Sequence, residues 1–441
     1  MNRRTFFKTT TASALLLAHS ASGARQVKDK PNDEGILAQC RARIEKHRKG
    51  RGTIVLRDTL GRPISRAKIT VEQVRHDFLF GCNFYMFDRN GDADREEKYR
   101  QQFKALLNYA TLAFYWAGYE RQRGAPGYAY TEKVAAWCRD HGIRCKGHPL
   151  AWDHPASSPA WLPDDDAEIA RLSYGRVRDI VSRFKGEIDI WDVVNEATHL
   201  PGNPNKTRLG KWAGDLGPVE YVTRHLRVAR EANLTATLLV NDYKIEPAYY
   251  EILDAQRESG KLLFDVVGIQ SHMHGGVWPL RKVWDVCDTY TKLGLPLHFT
   301  ETTLVSGPRL GPGENWGATT SEGEAKQADQ TVKFYTTLFA HPAVQAITWW
   351  DFSDHGAWQR AAAGWLRSDM SPKPVYDRLR SLIKGEWWTK LTGHPNALGI
   401  FPLSAFYGQH RVSVELPSGQ KSVTEIDWRH GGRNRVEIVV V

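Results

Sequence analysis

Cysteine is scarce and unpatterned in this 441-residue chain: Cys40, Cys82, Cys138, Cys145 and Cys287 make an odd set with no CxxC pair, which excludes zinc-ligand spacing. A long apolar run is also missing. The stretch from Ala12 to Ala18 is far too short to anchor the chain in a bilayer, so no membrane span is expected. There is no Lys/Arg block, and aromatic residues are not interleaved with basic ones. A formal charge of +10 over such a length is therefore no nucleic-acid signature. Clustered Asp/His ligand spacing is absent too, and nothing calls for a metal or another cofactor.

What is present begins at the N-terminus. Paired Arg3 and Arg4 precede Phe6, Phe7 and Lys8, then the short apolar stretch, then small residues ending at Ala24. This layout is that of a twin-arginine signal peptide over residues 1–24, cleaved after Ala24. It implies export of a folded protein to the periplasm or beyond. Removing the leader takes away Arg3, Arg4 and Lys8, leaving a formal charge of +7. In an oxidising compartment Cys138 and Cys145 have two open fates: pairing, or burial as small apolar side chains. The sixteen tryptophans suit stacking against sugar rings as well as a core.

From Asp77 onward, short apolar runs alternate with amphipathic stretches. Eight runs read as strands, starting near Phe78, Tyr109, Ile143, Ile188, Ala236, Asp265, Leu295 and Gln345. Eight strands with intervening helices predict a (β/α)8 barrel over residues 77–390. An open doubly wound sheet would carry a glycine-rich phosphate turn after its first strand, and GCNFYMF is not one. The flanks read differently. Residues 25–76 hold a linker or helix and two alternating strands, and 391–441 hold further short strands divided by Pro-Ser-Gly and His-Gly-Gly turns. Neither flank has enough strands for a stable sheet alone, so both are expected to meet in one small β-sandwich.

Two of the barrel runs end on carboxylates, WDVVNEA at Glu196 and LHFTETT at Glu301, 105 residues apart. On a barrel these are the ends of the fourth and seventh strands, so both side chains reach the same, C-terminal face. A carboxyl pair at one mouth is what acid/base and nucleophilic work on a glycosidic bond requires.

Seven strings in order, GHPLAWDHP (Gly147–Pro155), WDVVNEA, NDYK (Asn241–Lys244), GIQSHMH (Gly268–His274), FTETT, WWDFSDHGAW (Trp349–Trp358) and PKPVY (Pro372–Tyr376), resemble glycoside hydrolase family 10, the retaining endo-β-1,4-xylanases. The resemblance implies that Glu196 is the general acid/base and Glu301 the nucleophile. His148 and Trp152 would line the subsite of the sugar that is cleaved, and Trp350 and Trp358 would wall it. Tyr243 would flank the leaving group. Asn195 offers an amide to a sugar hydroxyl or to the nucleophile. His272 would orient Glu301, with a buried core histidine as the alternative reading; for Gln270, orienting a carboxylate and plain core hydrogen bonding stay equally open. The substrate implied is xylan-like polysaccharide or an oligosaccharide, handled by a monomer. Three departures stand out. TLAFYWAGYE (Thr111–Glu120) lacks the family's Glu-Asn pair and lysine, Asp153 replaces a histidine, and Thr303 replaces an aspartate. The cleavage residues match while the glycone contacts do not, so a different β-linked backbone or a non-catalytic carbohydrate-binding barrel are the competing readings.

Overall fold

The computed structural model describes residues 32–311 and 316–440; the leader assigned to residues 1–24 lies outside them. The first element is helix α1 (Asp33–Arg48), started by Asn32, whose side chain accepts the Gly35 N–H. Ile36, Cys40 and Ile44, one helical turn apart, bury its inner face.

Strands β1 (Lys49–Arg57) and β2 (Lys68–His76) follow, and then the barrel begins: β3 (Leu79–Asn83), helix α2 (Ala93–Leu106), β4 (Tyr109–Ala113), β5 (Arg144–His148), β6 (Ile190–Asn195) and β7 (Thr237–Asp242). A two-residue hairpin, β8 (Arg257–Glu258) and β9 (Lys261–Leu262), interrupts before β10 (Val266–Ile269), β11 (Leu297–Thr302) and β12 (Val344–Trp349). The eight strands β3, β4, β5, β6, β7, β10, β11 and β12 pair in parallel and close through β12 on β3. Every residue of β3, β6 and β11 is buried, as expected of parallel strands covered on both faces. Leu79, Tyr109, Ile190, Leu239, Val266 and Ala346 form a separate apolar layer, contributed by six of the barrel strands.

All eight predicted strands are present, and a helix spans Tyr128–Asp140, with Gly142 just beyond it in left-handed backbone (φ 68°). Cys138 lies in that helix and Cys145 in β5; both are buried free thiols.

After the barrel come β13 (Lys390–Gly393), β14 (Ile400–Phe406), β15 (Gly408–Glu415), β16 (Lys421–Trp428) and β17 (Arg435–Val439). They share two sheets with the N-terminal strands, in the orders β14-β1-β17 and β13-β2-β15-β16. Between these sheets lies one apolar cluster that includes Ile54, Leu56, Ile69, Val71, Val412, Val414 and Trp428. Each flank supplies part of a sandwich that neither could form alone. No helix among the described residues is long and apolar enough to cross a membrane.

Candidate active site

Glu196 comes directly after β6 and adopts left-handed backbone (φ 59°, ψ 42°), a conformation that non-glycine residues rarely hold. Its N–H donates to Asn241 O at 2.8 Å, so the turn off β6 is tied to the end of β7. The carboxyl is held at both oxygens. Gln270 Nε2 donates to Oε1 at 2.8 Å and Trp152 Nε1 to Oε2 at 3.0 Å. Burial pushes its pKa up to about 8; the two donors oppose this, and the charges of Glu301 and Asp242 add to it. This carboxyl keeps its proton at neutral pH.

Glu301 sits one residue before the end of β11 and is buried. Asn241 Nδ2 donates to its Oε1 at 2.7 Å, and His272 Nε2 lies 3.0 Å from Oε2. His148 Nε2 stands 3.7 Å from Oε1. Burial alone would raise its pKa, but His148, His272 and Lys146 outweigh it and hold the carboxyl below the ordinary value. The two carboxyls thus titrate in opposite directions within one cleft.

They are joined through amides. Asn195 Oδ1 accepts from Asn241 Nδ2 at 2.8 Å and from Gln270 Nε2 at 3.3 Å, and these same two groups hold Glu301 and Glu196. Gly268 matters here, because a Cβ on it would meet Asn241 Oδ1 at 2.5 Å.

Beneath this pair is a buried relay. Asp192 Oδ2 lies 2.6 Å from Lys146 Nζ and 2.7 Å from His148 Nδ1, with all three side chains dry. Burial would raise the Asp192 pKa, yet Lys146 and His148 hold it low. His148 Nδ1–H donates to that carboxylate, which orients Nε2 towards Glu301. On the other side, His272 Nδ1 meets Thr303 Oγ1 at 3.0 Å. Because the Glu301 carboxylate can only accept, His272 Nε2 carries the hydrogen between them.

The ten residues singled out in the sequence all line one cleft of about 700 Å³. Trp350 is buried, its ring edge-on to His148 at 5.4 Å and to His272 at 5.7 Å. Trp358 is 44% exposed and lies over His272 with centroids 4.7 Å apart, so one apolar face stays open to a ligand. Tyr243 is half-exposed, its hydroxyl bonded to His199 Nε2. Trp349 turns away into the wall, against Trp365, and donates to Ala363 O.

Several contributors were not singled out: Asn241, Lys146 and Asp192 behind the carboxyls, His199 and His154 at one end, and Tyr85, Tyr115, Asn83 and Asp351 at the other. Asn241 and Asp192 lie inside the strings NDYK and WDVVNEA, and Lys146 stands one position before GHPLAWDHP, so proximity to those strings was the available signal. Asp153, the departure after Trp152, does not line the cleft. It accepts from Asn205 Nδ2 at 2.8 Å and is buried. His154 stacks on Trp152 at 4.2 Å in its stead. Among the described residues, no group of three or more His, Cys, Asp or Glu is placed to hold a metal ion.

Comparison with known proteins places the chain in a family. The model of "Glycosyl hydrolase family 10" matches residues 72–382. Anti-sigma-I factor RsgI6 of Acetivibrio thermocellus is 27% identical over 395 residues, covering 87% of this chain and 47% of that protein. Endo-1,4-beta-xylanase 1 of Arabidopsis thaliana is 25% identical over 372 residues, and this chain spans 35% of it. The chain thus spans half or less of those two relatives. Endo-1,4-beta-xylanase B of Thermotoga neapolitana is 27% identical over 327 residues, covering 70% of this chain and 88% of the relative. Among solved structures, xylanase 10B of Thermotoga petrophila RKU-1 in complex with xylobiose superposes with a TM-score of 0.59 at 24% identity, over 70% of this chain and 95% of that one. A thermostable mutant of xylanase Xyn10A from Cellvibrio japonicus gives 0.60 at 20% identity, over 70% and 98%. At such identities the structural likeness carries the fold, while the family match spans most of the chain and includes both carboxyl-bearing strands. By that match this chain belongs to glycosyl hydrolase family 10.

Proposed function

We propose that the chain is a retaining glycoside hydrolase that cleaves internal β-1,4 linkages of xylan-like polysaccharide, with Glu196 as general acid/base and Glu301 as nucleophile. The observation that carries this reading is the placement of the two carboxyls in one aromatic-walled cleft, Glu196 held by Trp152 and Gln270 and Glu301 by Asn241 and His272. Glu196 gives its proton to the glycosidic oxygen while Glu301 attacks the anomeric carbon. The C–O bond breaks, the aglycone leaves neutral, and an ester to Glu301 remains. Glu196, now a carboxylate, takes a proton from water; the water oxygen attacks the same carbon and Glu301 departs as carboxylate. Asn241 and His272 fix both oxygens of Glu301 for in-line attack, and Trp152 and Gln270 aim Glu196. The leader at residues 1–24 would route this activity to the periplasm or the exterior.

A second reading is a barrel that binds carbohydrate without cutting it; one relative is named an anti-sigma factor and not an enzyme. Retention of both carboxyls with opposed protonation favours hydrolysis. The test is hydrolysis of xylan, mixed-linkage glucan and arabinan by the wild type and by Glu196→Ala and Glu301→Ala. Xylan is expected to be cut, the first product to appear by NMR as the β-anomer, and each variant to lose on the order of 10³-fold or more in kcat. Unchanged turnover in Glu301→Ala would remove it as the nucleophile. Hydrolysis of another backbone alone would replace the xylan assignment.

A further inference from the structure

The cleft continues past Trp350 to an end that the reaction above leaves unused. We infer that Asp351 receives the hydroxyl groups of the second sugar on the glycone side, in a polar inlet that it forms with Asn83 and Tyr99; this rests on the roles given to Glu196 and Glu301.

The direction of the chain in the cleft follows from the proton. Glu196 protonates the departing sugar, and Tyr243 and His199 stand beside Glu196, with His199 Nδ1 at 3.5 Å. The retained sugar therefore lies on the other side, over Glu301 and against His148 and Trp350. The Trp350 ring has His148 and His272 on one flank and Tyr85 on another, edge-on at 5.6 Å. The same cleft is also walled by Asn83, Tyr85, Tyr99 and Asp351, with Tyr85 against Trp350. Asp351 lies two residues past the end of β12 and Asn83 ends β3, its partner strand in the closed barrel, so the fold brings the two to one rim. Tyr99 reaches in from α2, its ring stacked on Phe84 and edge-on to Phe352.

Asp351 is only 6% exposed and Tyr99 only 1%. Asp351 Oδ1 accepts the Trp358 N–H at 3.0 Å. Its Oδ2 and the Tyr99 hydroxyl have no hydrogen-bond partner among the described residues. Buried polar atoms in a folded chain are nearly always paired, and two orphans on one cleft wall call for a donor and an acceptor from outside. A sugar hydroxyl is both. Burial pushes Asp351 up to about 7, with the Trp358 N–H opposing and Asp354 adding, so near neutrality the carboxyl accepts or donates as the hydroxyl requires. The neighbouring loop after β4 does not supply this contact with a charge. It presents Tyr115, packed on His148 and Trp152, while the Glu120 carboxyl is occupied by Trp116 Nε1 and Gly124 N–H.

The experiment compares kcat/KM on 4-nitrophenyl β-xylobioside and 4-nitrophenyl β-xyloside, which share a leaving group and differ only by the second glycone sugar. In Asp351→Asn the ratio of the two values is expected to fall at least about tenfold, chiefly through KM for the disaccharide, whereas general structural damage lowers both values together. A ratio within twofold of the wild type overturns the assignment. Should Asp351→Asn yield no folded protein, Tyr99→Phe, which keeps the ring in the core, decides on the same two criteria. If the wild type cleaves only glycosides of another sugar, the same pair is made with that sugar. If it cleaves none, the hydrolase reading fails and this inference with it, an outcome distinct from an active wild type with an unchanged ratio.

Discussion

Glu196 and Glu301 are chemically identical residues that their surroundings make into different reagents. The dry position of Glu196, against Trp152 and near two other carboxylates, keeps it protonated, while two histidines and a buried lysine keep Glu301 ionised. In the proposed mechanism the productive form needs a proton on Glu196 and none on Glu301. A plot of kcat/KM against pH is thus expected to be a bell, falling above about pH 8 as Glu196 ionises. On the acid side it falls only below the usual glutamate value, because Glu301 titrates low. Glu196→Gln removes the group responsible for the basic limb, and whatever residual rate it retains is expected to stay flat through pH 8. A basic limb that survives in that variant would assign it to another group.

Individual strands of the barrel carry more than the residue at their tips. β5 contributes Lys146 and His148, and β6 contributes Asp192 and Asn195, so these neighbours build a dry ion pair and aim it at Glu301 on β11. Removing Lys146 leaves the buried Asp192 charge held by His148 alone. Lys146→Met is expected to lower stability by about 3–5 kcal/mol, read as a shift of the urea midpoint at unchanged slope. The same variant should move the acid limb of the pH profile upward, since Lys146 helps hold Glu301 ionised. The strands themselves were readable from alternating runs, because a fully buried parallel strand is a run of apolar residues whatever surrounds it. Lys146 was not readable as a site residue. A lysine in a strand is ordinarily an exposed charge, and only the pairing of β5 with β6 puts Asp192 within 2.6 Å of it.

For the molecule as a whole, barrel and sandwich are knitted by a few buried polar groups. The Arg48 guanidinium, at the end of α1, donates to Phe339 O and His341 O at 2.6 Å and to Val344 O at 2.8 Å, and the Arg48 carbonyl accepts the Tyr407 N–H at 3.0 Å. Burial lowers its pKa to about 9, which still leaves it charged at neutral pH. Arg48→Ala removes three charged hydrogen bonds to carbonyls and is expected to cost about 2–4 kcal/mol. With the link weakened, calorimetry should show a lower Tm and a broader transition than the wild type. An unchanged thermogram would mean that apolar contacts alone join the two parts.

The order of strands, the meeting of the two flanks and the pair of carboxyls that share the cleft were all contained in the sequence. Periodicity, turn residues and a glutamate at the end of an apolar run are local properties that survive without a neighbour. The protonation of each carboxyl, the amide bridge through Asn195 and Asn241, the inward turn of Lys146 and the outward turn of Asp153 were decided only by the tertiary structure. Each depends on which groups lie within a few ångströms and on how completely water is excluded, and no spacing along the chain records either.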